Sequence, residues 1–123
     1  MSTTDSSPLL LPDAAAWRAW LVANESSADA VWLILARKGK QSATTLTYDE
    51  ALEEALCSGW IDGQTRSRDE ATTTRRFTPR RARANWSARN AGIVERLIAE
   101  GRMRPRGQAE IDAARADARL PAP

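Results

Sequence analysis

The chain has 123 residues, 42% of them hydrophobic and 28% charged, with a formal net charge of +2, the composition of one globular domain with a core of its own. It contains no histidine and a single cysteine, Cys57; these counts exclude Ser-His and Cys-His nucleophile pairs, histidine metal sites and an internal disulfide framework. The small net charge conceals an asymmetry: residues 1–60 hold four Lys/Arg against eight Asp/Glu, residues 61–123 hold fourteen against eight, and between Arg66 and Arg89 eight arginines face only Asp69 and Glu70.

No apolar run approaches the ~20 residues of a membrane span. The opening residues lack a cationic start followed by an apolar core, so a cytoplasmic location is expected. Residues 1–12 read as a disordered tail, being polar and Ser/Thr-rich at their start. Asp13 is a candidate N-cap for a helix over 13–24, in which Trp17, Trp20, Leu21 and Asn24 recur at helical spacing. Residues 30–36 form an uninterrupted apolar run with β-branched members, the pattern of a central strand covered on both faces, which is expected over 31–37. Thr47 and Glu50 make a capping box for a helix over 48–58, with Tyr48, Ala51, Leu52, Ala55 and Leu56 on its buried face and Gly59 as its left-handed stop. Strand, helix and next strand predict a right-handed crossover unit.

Residues 60–66 and 72–78 read as a hairpin turning at 67–70, since the run of threonines from Thr72 favours strand. Asn85 or Ser87 caps a helix over 86–100 that Gly101 closes; Gly92 in its middle predicts close approach of another backbone. Pro105 opens a last helix to residue 116, and 117–123 reads as a second tail. The expected architecture is α+β: a single domain over 13–116 with a small mixed three-stranded sheet packed by about four helices.

The segments Tyr48-Asp-Glu-Ala51, Ala55-Leu-Cys-Ser-Gly-Trp-Ile-Asp-Gly63, Arg76-Phe-Thr-Pro-Arg80, Trp86-Ser87 with Asn90, and Gly101-Arg-Met103 with Pro105 and Gly107 together resemble the YdeI/OmpD-associated family, also called bacteriocin-protection proteins. The resemblance runs from about Trp17 to Ala114. It implies a bacterial protein linked to protection against bacteriocins and cationic antimicrobial peptides, and it carries no set of catalytic residues. Ser58 stands where the family commonly has an aromatic, and Ala84 where a serine often precedes the Trp-Ser pair.

Two readings of the candidate site stand side by side. Trp60 and Asp62 alternate about Ile61 and share a strand face, either as a pocket with an indole wall and an accepting carboxylate, or as a core tryptophan and an aspartate that pairs with Arg75 or Arg76 or caps a turn at Gly63. Arg76, Arg80 and Arg81, beside Trp86 and Asn90, have the chemistry of an anion-binding face, with Phe77 and Trp86 as stacking partners; Lys38 after the first strand is a further candidate. Cys57 reads as a packed thiol, and Asp49, Glu50, Glu53 and Glu54 as a solvated helix face. The expected function is non-catalytic binding of a phosphate-bearing small molecule or nucleic acid, without metal or cofactor, as monomer or homodimer. The alternative is a small enzyme acting on a phosphorylated or nucleotide substrate with Asp62 as general base.

Overall fold

Helix α2, Tyr48–Cys57, is the element that every other layer touches. In the computed structural model, which describes residues 7–81 and 83–120, its start is fixed by the expected capping box: Thr47 Oγ1 accepts from the Glu50 amide at 3.2 Å and Glu50 Oε1 accepts from the Thr47 amide at 3.0 Å. Ala51 and Ala55 face one core cluster with Trp17, Leu21, Leu33, Trp60 and Phe77. Leu52, Leu56 and Cys57 face a second, with Trp86, Val94, Leu97 and Ile111. The helix therefore separates two cores and belongs to both.

Helix α1, Ala14–Asn24, begins at Asp13, whose carboxylate accepts from the Ala16 amide at 2.9 Å. It docks on α2 through Trp17, fully buried, whose indole N–H donates to the Ala51 carbonyl at 3.0 Å. Strands β1 (Val31–Ala36), β2 (Trp60–Ser67) and β3 (Thr72–Pro79) lie in the order β1-β3-β2. Both neighbouring pairs are antiparallel. β1 and β2 thus run the same way, joined through α2, but β3 lies between them. The hairpin folds its second strand back into the slot that the long connection leaves open. The mixed sheet expected from the sequence differs in this respect; among the described residues its parallel pairing is a single bridge in which Leu9 sits beside Leu33, its amide donating to the Trp32 carbonyl at 2.7 Å and its carbonyl accepting from Ile34 at 3.0 Å.

Helix α3, Ala88–Ala99, starts at Ser87, whose hydroxyl accepts from the Asn90 amide, and α4, Pro105–Ala116, starts with proline in its first turn. Trp86 precedes the third helix rather than opening it. The tails are shorter than expected. Leu9 pairs with the sheet, and Leu120 is buried in the second core; the rest of the predicted tails, residues 1–6 and 121–123, lies outside the described residues.

The glycine that permits a close approach is Gly107, not Gly92. A Cβ on Gly107 would stand 2.1 Å from the Cys57 carbonyl oxygen, whereas one on Gly92 would meet nothing within 4 Å. Gly107→Ala is therefore expected to lower stability by about 3 kcal/mol, the upper end of overpacking costs, while Gly92→Ala raises it by about 0.5–1 kcal/mol through helix propensity. Urea unfolding of the two variants checks both signs; a neutral Gly107→Ala would contradict the contact between α4 and the end of α2.

Candidate functional site

Burial and ion pairing divide the arginines into two sets, and the division locates the candidate site. The first set surrounds Glu54. This carboxylate is only 2% exposed and is bonded by Arg18 through Nε and Nη2 at 3.1 and 2.9 Å, by Arg102 at 3.3 Å and by Arg104 at 3.0 Å. Arg104 also donates to the buried Ser58 hydroxyl at 3.0 and 2.8 Å and to the Glu54 carbonyl. Glu53 and Glu100 extend the network to Arg96 and Arg102. The expected solvated acidic face is thus corrected: Glu54 lies three residues after the buried Ala51, a helical spacing that places it inward. Burial pushes the Glu54 carboxyl upward, and the guanidiniums of Arg18 and Arg104 outweigh that effect to hold it below its ordinary value. A concavity of about 360 Å³ opens beside this network, but the surrounding carboxylates engage its three arginines.

Asp62 belongs to another satisfied group. Its Oδ2 accepts from the Tyr48 hydroxyl at 2.8 Å and stands 3.4 Å from Arg75 Nη1. Arg75 lies over the Tyr48 ring, 4.4 Å from its centroid. Burial, then the bond to Asp62, raises the Tyr48 pKa. Asp62 thus follows the pairing reading with Arg75 rather than the open-carboxylate reading. Trp60 is fully buried, edge-on to Trp20 at 5.8 Å, with its N–H donating to the Glu25 carbonyl; it forms core and offers no wall to a ligand. Phe77, also fully buried, packs on Trp17, so it cannot stack on a base. Cys57 is buried, and burial raises its pKa.

The second set of arginines has no carboxylate at ion-pair distance among the described residues: Arg66, Arg76, Arg80, Arg81 and Arg83, together with Arg37, which donates to the Asp69 carbonyl and the Ser67 hydroxyl, and Arg106, which donates to the Ser58 and Gly59 carbonyls. Arg80 is the unusual member. It is 9% exposed, and its guanidinium carbon lies over the Trp86 ring, 3.9 Å from the centroid, while Nη2 donates to the Asn85 carbonyl at 2.9 Å. Burial lowers its pKa, and the attraction of Glu110, which makes no ion pair with it, offsets the lost hydration only in part. Arg80 lines an open groove of about 270 Å³ with the exposed Arg81 and with Ile61, Thr78, Pro79, Ala84 and Asn85. Trp86, 6% exposed, supports Arg80 from beneath instead of presenting a free ring. Its indole N–H and the Asn90 Oδ1 are buried without a partner among the described residues.

Of the residues expected to form a site, Arg80 and Arg81 share the groove, Arg76 lies on the adjoining strand, Trp86 lies against Arg80, and Asn90 is in the first turn of α3. Trp60 and Asp62 are engaged elsewhere. Lys38 is at the far end of the sheet, where Ala36 pairs with Thr72, about 24 Å along β3 from Pro79 at the strand rise. Among the described residues no three Cys, Asp or Glu side chains are placed to hold a metal ion, and no helix is long and apolar enough to cross a membrane.

The Glu54 network predicts a specific acid sensitivity. Because its folded-state pKa lies below the ordinary carboxyl value of 4.5, its contribution is fully present above that pH and is lost as the pH falls through the folded value. Glu54→Gln is expected to cost about 3 kcal/mol, chiefly by leaving the largely buried Arg104 without its carboxylate, and to flatten the acid limb of thermal stability. An unchanged acid limb in the variant would contradict this.

No curated protein and no solved structure matches the chain significantly. One family model does, over residues 9–110, spanning all three strands and the first half of α4; the chain belongs to the family described as a domain of unknown function, DUF8412.

Proposed function

We propose that this is a non-catalytic anion-binding domain whose groove at Arg80 and Arg81 takes a phosphate group. The carrying observation is Arg80, a residue about nine-tenths buried, with no carboxylate at ion-pair distance among the described residues, and lining an open groove. A buried unpaired charge costs several kcal/mol, a cost that a bound anion offsets. Trp86 holds the guanidinium plane, the Asn85 carbonyl fixes one edge, and exposed Arg81 supplies a second cation, an arrangement suited to bidentate contact with phosphate oxygens. The resemblance to bacteriocin-protection proteins supports placing this binding in a bacterial stress or antimicrobial-peptide defence role. Asp62 as general base gains no support from the geometry, because the Tyr48 hydroxyl and Arg75 share its Oδ2 and it does not line this groove.

Calorimetry and thermal shift with inorganic phosphate and nucleoside monophosphates test the reading. Saturating ligand stabilises a single-site protein by about 2.7 kcal/mol at a hundred times Kd. Arg81→Ala and Arg80→Lys, which keeps the charge and removes the fork, are expected to weaken binding on the order of tenfold to a hundredfold. Absence of any phosphate-dependent stabilisation, or equal binding by both variants, would overturn it.

A further inference from the structure

The groove continues into a row of cations on one face of the sheet. Residues opposite one another in antiparallel strands share a face. By the register, Val31, Leu33 and Leu35 share theirs with Phe77, Arg75 and Thr73, the side of the first core; Trp32 and Ile34 share the other with Arg76 and Thr74. From β2, Ile61 joins that second face opposite Thr78, and Arg66 joins it opposite Thr74. Arg66 is there because of the irregularity between Asp62 and Thr65. Without the extra residue at Gly63 and Gln64, strict alternation from Asp62 would turn Arg66 to the core side, and bulges re-aim side chains in this way. The Arg66 guanidinium indeed lies over the Trp32 ring, 4.1 Å from its centroid.

The second face therefore bears Arg66 and Arg76 about 7 Å apart along the strand direction, then Thr78 and Ile61, which themselves line the groove of Arg80 and Arg81. The three strands contain one acidic residue, Asp62, and it stands on the opposite face. A row of uncompensated arginines longer than a single phosphate fits an extended anion.

Resting on the anion-binding reading, we infer that the ligand is a polymer: a nucleic-acid strand held by its phosphodiester backbone along Arg66 and Arg76 and into the groove of Arg81 and Arg80. Recognition is by charge and not by base. Trp32 at 8% exposure, Trp86 at 6%, and the fully buried Trp60 and Phe77 leave no open ring in this region on which a base could stack.

The test uses the full chain with labelled DNA and RNA oligonucleotides of increasing length, single-stranded and duplex, across a salt series, with inorganic phosphate as a separate probe. Affinity is expected to rise with length, to show no dependence on base composition, and to fall with salt by about 0.7–0.9 in log-log slope per phosphate contacted. Arg66→Ala and Arg76→Ala should each reduce that slope by about 1 while leaving inorganic phosphate binding unchanged. If phosphate still binds in an Arg81-dependent manner, but oligonucleotides bind no more tightly than phosphate or the two variants keep the native slope, the polymer inference is overturned and the groove reading stands. If neither phosphate nor oligonucleotide binds, both fall.

Discussion

The buried carboxylate of Glu54 sets the terms for the rest of the molecule. Three guanidiniums, from α1 and from the segment between α3 and α4, converge on it, so helices distant in sequence are tied to the central helix at one point. A charge this buried is tolerated only when paired and hydrogen-bonded, and each partner depends on the others. The adjoining Ser58 hydroxyl and the contact of Gly107 with the Cys57 carbonyl secure the same end of α2. That end leads directly through Gly59 into Trp60 and the hairpin.

This arrangement gives the charge asymmetry a structural meaning. The arginines of the C-terminal segment are largely consumed inside the protein: Arg96, Arg102, Arg104, Arg115 and Arg119 all meet carboxylates. The excess is left on the hairpin and the segment after it. Arg80 occupies the boundary between the two regimes, packed like a core residue but lacking the counter-charge that Arg104 has. Coulomb attraction in such a partly desolvated groove is stronger than at an open surface; on the proposed reading Arg80 therefore sets where a single phosphate settles, and Arg66 and Arg76 contact the further phosphates of a longer ligand.

Elements whose signals are local were legible from sequence. The capping box at Thr47 and Glu50, the stop at Gly59, and the N-caps at Asp13 and Ser87 depend on residues within four positions, and their helices follow closely. The pairing of Asp62 with Arg75 was among the open readings because the hairpin itself was visible. Strand order was not legible, since placing β3 between β1 and β2 depends on contacts across the whole sheet. Glu54 was misread because its partners lie 36, 48 and 50 residues away. Arg80 and Arg81 stand out in the sequence by clustered charge beside aromatic residues, but the stacking of Arg80 on Trp86 and the face-switching role of Gly63 and Gln64 arise only once the chain is folded and the register fixed. Trp60 has the composition of a binding-site aromatic, and only its burial against Trp20 removes it from the site.

The central claim is that the two sets of arginines differ in availability, and side-chain nitrogen NMR of the arginines measures this directly. On titration with an oligonucleotide, the Nε–H resonances of Arg66, Arg76, Arg80 and Arg81 should shift together and saturably, while those of Arg18, Arg102 and Arg104 stay in place. Shifts concentrated at the Glu54 network, with the hairpin arginines unmoved, would contradict the account.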